Sequence, residues 1–140
     1  MKYRLLLLYW IFWYVNYLSR TILSPLMPAI EDALTINHAM AGGLCLSFYC
    51  GSTLSVLTGG FLALRFGYKK LILYCFLILS FGFGALGFVR SYHLFLGMSF
   101  LLGLGSGLYI PCGIPLLTSV IPMDHWGKTI AIHETAAGAP

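Results

Sequence analysis

Few residues in this chain can do chemistry, and most of them stand in or beside long apolar stretches. Arg20 interrupts a stretch from Leu5 to about Ile30, with Asn16 one helical turn before it. A guanidinium presents a planar fork matched to a carboxylate or phosphate, and residues four apart share a helix face. The pair is read as a polar patch able to bind a small anion. A blander reading stays open for each residue: Arg20 snorkels outward from the outer half of its helix, and Asn16 forms a helix–helix hydrogen bond. His133 and Glu134 stand together near the end of the sequence, a neighbourhood that can relay protons inside a membrane. His38, His93 and His125 fall in short polar connections, as solvated side chains do.

Enzyme chemistry finds little support. Cys45, Cys50, Cys75 and Cys112 lie inside apolar runs without a CxxC pair, where cysteine acts as a small buried hydrophobe. Cys45 and Cys50 are five apart, which turns them about 140° from each other on a helix. That argues against a thiol oxidoreductase, which needs a close pair. A haem carrier needs paired axial histidines inside the bundle, and the apolar stretches hold none. The run Gly103–Gly107 has neither a preceding strand nor a following lysine, so it reads as helix packing and not as a phosphate loop. No cofactor, metal or nucleic-acid partner is expected.

The elements that must position Arg20 follow from composition. The chain has 140 residues, 59% hydrophobic and 9% charged, with a mean hydropathy of +0.88. Soluble domains carry about 25% charged residues, and a domain this small could not hide so much apolar surface. Disorder needs the opposite composition. The expected class is an all-α integral membrane protein. Spans are expected at about 5–30, 39–64, 71–89 and 94–120, since about 20 apolar residues cross the hydrocarbon. Alternating barrel strands are absent. A fifth apolar segment opens at about residue 129 and is too short to span by residue 140. The chain is therefore expected to be a fragment, four spans and an incomplete fifth.

The net charge of +4 reports topology. With the N-terminus cytoplasmic, the inner segments hold Lys2, Arg4, Arg65, Lys69, Lys70 and Lys128, and the outer ones hold Arg90, Glu31 and Asp32. That satisfies the positive-inside rule and places the chain as a multi-pass protein of the cytoplasmic membrane. Met1–Val15 begins like a signal peptide, but no small-residue cleavage site follows and the apolar run continues. It is read as the start of the first span.

Two patterns add detail. Ala39, Gly43, Ser47, Gly51, Ser55, Gly59 and Ala63 recur every four residues along the second span. Such a row lets another helix backbone approach closely. After it, Gly59–Ile72 reads as a glycine-hinged turn carrying Arg65, Lys69 and Lys70. Pro111 and Pro115 are expected to bend the fourth span.

That turn resembles the G-x-L-A-D-R-x-G-R-K motif of the major facilitator superfamily. Gly60, Leu62, Ala63, Arg65, Gly67 and Lys69 match in register, with Tyr68 replacing the first basic residue of the R-K pair and Lys70 following. Asn16–Ile30 resembles the family's first helix, Phe100–Gly107 with Pro111 and Gly113 its fourth, and Gly127–Ile132 the start of its fifth. The resemblance implies a six-helix N-terminal bundle of a carrier built from two such halves. It implies a gating role for Gly60, Arg65, Gly67, Lys69 and Lys70. Arg20 resembles in position the substrate-binding arginine of the organophosphate–phosphate antiporters. Leu64 replaces the family's acidic residue in the turn, and Ser99 replaces the arginine before the fourth-helix glycine run. The charges that pair in the family are missing at those positions.

The expected function is transport of a small solute, an organic anion by virtue of Arg20, through alternating access. The expected partners are the lipid bilayer, the solute and the missing C-terminal helices, and the fragment alone is expected to be inactive. The alternative is a small four-helix membrane scaffold or assembly partner, which the small-residue row on the second span would also serve.

Overall fold

A computed structural model describes residues 2–138. The chain is helical almost throughout: α1 (Lys2–Thr21), α2 (Leu23–Leu34), α3 (His38–Phe66), α4 (Tyr68–Leu86), α5 (Tyr92–Val120) and α6 (Trp126–Glu134). A 3₁₀ turn over Met123–His125 leads into α6, and another over Thr135–Gly138 follows it. The last two positions of the fifth apolar segment, Ala139 and Pro140, lie outside the described residues.

The first apolar stretch is not one helix. The hydrogen-bond ladder is interrupted at Ile22, which keeps helical dihedrals (φ −64°, ψ −28°), because Pro25 has no N–H to give the carbonyl of Thr21, four residues back. Three helices, α3, α4 and α5, are each long and apolar enough to cross a membrane. The stretch expected to make the first crossing is divided between α1 and α2. Helix α4 begins at Tyr68 and ends at Leu86, three residues earlier at each end than its apolar run suggests. Helix α6 opens at Trp126, three residues before the apolar segment begins.

Local chemistry sets the ends. Asn37 caps α3 by accepting the Met40 N–H at 2.9 Å. Thr35 closes α2 in the left-handed region at φ 52°, and His38 reaches back to Glu31 at 2.7 Å across that turn. At the other end of α3, the expected glycine-hinged loop shrinks to one residue. Gly67 alone is non-helical there, at φ 84°, a conformation that L side chains rarely adopt.

Helix α5 is the centre of the assembly. It carries the buried residues Leu102, Tyr109 and Cys112, with α3 on one side and α4 on another. Ser47 donates to the carbonyl of Leu96 at 2.9 Å and Ser55 to that of Leu104 at 2.6 Å. Partner numbers rise together, so α3 and α5 run parallel. Gly82 meets Leu102 and Gly105 meets Ile78, so α4 runs antiparallel to α5. Arg20 meets Ser106 and Tyr109 meets the Tyr9 carbonyl, so α1 also opposes α5. The Leu6 and Ile132 side chains share a groove and Trp10 donates to Thr135, which sets α6 parallel to α1. This alternation gathers Arg65, Lys69, Lys70 and Lys128 at the end where α1 begins.

The α3–α5 seam is closest at the small residues. A Cβ on Gly51 would collide with the Phe100 carbonyl, and one on Gly103 or Gly107 with the carbonyls of Phe48 or Ser52. Gly43 and Gly59 sit against Tyr92 and Pro111. The row's first member, Ala39, is exposed and lies outside the seam. Pro111 and Pro115 lie within one continuous helix, so α5 is not broken as α1 and α2 are.

Candidate functional site

Helices α1, α3 and α5 meet around Arg20. Its Nε donates to the Ser106 hydroxyl at 2.9 Å, and one terminal nitrogen donates to the Ser106 carbonyl at 3.3 Å and, at 3.5 Å, to the Ser52 hydroxyl. Ser52 stands fourteen residues from either end of the 29-residue α3. Ser106 stands fourteen residues from either end of the 29-residue α5. At 1.5 Å per residue the guanidinium lies about 21 Å from both helix ends. It points inward at the midpoint of both helices.

Asn16 belongs to the scaffold of this site. Its side chain is fully buried; the amide donates to the Ser106 carbonyl at 3.1 Å, and its oxygen accepts from the Ser106 hydroxyl at 3.4 Å. A helix–helix hydrogen bond, one of the two readings open in the sequence, is formed. Ser106 thereby ties Asn16 and Arg20 together. Among the described residues no carboxylate lies within ion-pair distance of Arg20; the acid–base pairs are His38–Glu31 and His133–Glu134. A guanidinium has five N–H donors, and not all of them are engaged by the two serines.

Other expected site residues lie elsewhere. Gly60 is on the exposed face of α3, within the helix and not in a loop. Arg65, Gly67, Lys69 and Lys70 are exposed at the basic end, far from Arg20, with the Arg65 guanidinium 5.7 Å from the Phe66 ring centre. Gly43, Ser47, Gly51, Ser55 and Gly59 face α5 and fix how closely it approaches. Among the described residues no group of His, Cys, Asp and Glu could hold a metal ion.

Sequence reasoning missed Ser52 and Ser106. The available signal was a serine set among glycines in each of two apolar helices. Ser99, where the family resemblance expects arginine, is fully buried, and its hydroxyl has no partner among the described residues.

The profile of the Major Facilitator Superfamily matches residues 10–139. The chain belongs to the major facilitator superfamily. It is 27% identical over 126 residues to the niacin transporter NiaP of Acinetobacter baylyi, a match covering 90% of this chain and 29% of that protein. It is 26% identical over 132 residues to probable anion transporter 7 of Oryza sativa subsp. japonica, covering 94% of this chain and 30% of that protein. The chain thus spans about three-tenths of the length of these curated relatives. No solved structure matches it. Membership of the major facilitator superfamily makes this a multi-pass membrane protein of a solute-transporter family. It also accounts for apolar helices that leave large side chains such as Leu57, Phe61 and Leu64 exposed.

Proposed function

We propose that this chain supplies the anion-reading part of a carrier for small organic monoanions. The observation that carries the reading is the Arg20 guanidinium held at mid-depth by Ser52 and Ser106 without a carboxylate partner. An arginine at the bilayer centre costs about 2.5–3.5 kcal/mol on insertion scales, and a site that keeps it unpaired has a use for the charge. Family carriers bind substrate near the midplane, between two bundles that rock around it. Arg20 is the anion-binding group, and Asn16 holds the Ser106 backbone that positions it. The names of the two relatives, a niacin transporter and a probable anion transporter, agree with an anionic substrate.

In this reading α1 with α2, α3, α4 and α5 make four crossings, and α6 opens a fifth. The basic end, with the N-terminus, faces the cytoplasm by the positive-inside rule. Arg65, Gly67, Lys69 and Lys70 form the cytoplasmic gate hinge, with Gly60 on the helix leading into it. The transport cycle needs further helices of the same carrier, in keeping with relatives more than three times as long.

The test is binding of nicotinate and benzoate to the chain in lipid nanodiscs, by calorimetry, beside their uncharged amides. The acids bind and the amides do not; Arg20→Lys retains weakened binding and Arg20→Gln loses it by about tenfold or more, the scale of one charge-assisted hydrogen bond. Equal binding of acids and amides, or an unchanged Arg20→Gln, would overturn the proposal.

A further inference from the structure

One turn along α5 from Ser106 lies a second polar cluster that anion binding does not use. His133 of α6 is buried, with its ring stacked on those of Trp13 (centroids 5.4 Å apart) and Tyr109 (6.0 Å, interplanar angle 2°). Its Nε2 is 3.0 Å from the Tyr109 hydroxyl, and its Nδ1 is 3.3 Å from Glu134 Oε1. The Tyr109 hydroxyl also lies 3.3 Å from the Tyr9 carbonyl. The titratable groups facing His133 are thus Tyr109 from α5, Glu134 from its own helix and, across the shared hydroxyl, Tyr9 from α1. Glu134 is half-exposed.

We propose that His133, with Tyr109 and Glu134, is a proton-binding site coupled to the anion site through α1 and α5. The hydrogen bonds accommodate both protonation states. In the neutral ring with hydrogen on Nε2, that N–H donates to the Tyr109 oxygen, the Tyr109 hydroxyl donates to the Tyr9 carbonyl, and the Nδ1 lone pair accepts the O–H of Glu134 once that carboxylate is protonated. A proton arriving from water at the Glu134 carboxylate passes to that lone pair, a new N–H bond forms, and the carboxylate is left anionic. The resulting imidazolium donates from both nitrogens, one to Glu134 and one to Tyr109. No buried polar group loses its partner in the change, which offsets part of the desolvation cost of charging a buried histidine. The faces of Trp13 and Tyr109 add cation–π stabilisation of the charged ring.

The coupling is geometric. Trp13 is one turn from Asn16 on α1, and Tyr109 is one turn from Ser106 on α5. The proton site and the guanidinium site therefore load the same two helices. A positive charge at His133 also raises the local potential felt by an anion at Arg20. The coupling rests on the anion-carrier reading; the proton site itself does not.

The experiment is ¹⁵N NMR of the histidine-labelled chain in nanodiscs between pH 4.5 and 8, without anion and then with benzoate. His133 is expected to titrate, as a resonance absent from His133→Gln. In Tyr109→Phe, which keeps the stacked ring, its midpoint is expected to move. Benzoate is expected to raise the midpoint, and low pH to tighten benzoate by about fivefold in the parent and not in His133→Gln, in the range of ordinary coupling. A His133 that stays neutral over the whole range, or titrates alike in Tyr109→Phe, overturns the proton site, and the parent titration decides this even if a variant does not fold. Titration unaffected by bound benzoate overturns the coupling. Titration with no benzoate binding at any pH sinks the anion-carrier reading and leaves the proton site standing.

Discussion

Arg20 and Ser106 touch through both the side chain and the backbone of the serine: Nε reaches its hydroxyl at 2.9 Å, and a terminal nitrogen reaches its carbonyl at 3.3 Å. The contact fixes the guanidinium plane and crosses from α1 to the centre of α5. Asn16 holds the same carbonyl at 3.1 Å, so one residue of α5 organises the polar face of α1.

Removing the hydroxyl should loosen the fork without removing the charge. Ser106→Ala leaves the two donations to the carbonyl in place and deletes the acceptor for Arg20 Nε. Losing a hydrogen bond to a charged group costs about 1.5–3 kcal/mol. Benzoate affinity should fall about tenfold, with helix content by circular dichroism unchanged.

The α3–α5 seam should discriminate sharply between glycines. A Cβ at Gly103 collides with the backbone of Phe48 and Ser52, whereas one at Gly60 meets nothing within 4 Å. Backbone cannot step aside as a side chain can, so Gly103→Ala should destabilise the packed state by about 1–3 kcal/mol, the usual range for overpacking. Gly60→Ala should be neutral or slightly stabilising, because it adds helix propensity. Denaturation in mixed micelles measures both.

The division of the first apolar stretch should be reversible. Pro25→Ala restores an N–H that can donate to the Thr21 carbonyl, so α1 and α2 should run as one helix. The new amide at position 25 should exchange slowly, and Ser24→Ala, which leaves Pro25 in place, should not alter the break.

Topology should depend on the basic end. Neutralising Arg65, Lys69 and Lys70 together with glutamine removes most of the positive charge between α3 and α4, the asymmetry that orients the helices. A cysteine placed at Gly87, at the far end of α4, should then become partly accessible to a membrane-impermeant thiol reagent from the cytoplasmic side. In the parent it should be labelled only from outside.

The sequence by itself determined the class, the apolar segments and the row of small residues, because lipid imposes length and apolarity on every crossing whatever it packs against. It also singled out Arg20 and Asn16, since polar groups are conspicuous against such a background. It did not show what either side chain touches. That depended on Ser52 and Ser106, brought beside α1 from residues 32 and 86 positions away. Hydrogen bonding at such separation leaves no local pattern. The proton site is a similar case: Tyr109 and His133 meet at 3.0 Å only because α6 turns back along α1 and places its ring against α5. The break at Ile22 and the one-residue turn at Gly67 were half legible. Gly67 fell inside the expected turn, whereas Pro25 fell inside a stretch read as one span, and only the packed helices decided how much chain each would take out of the helix.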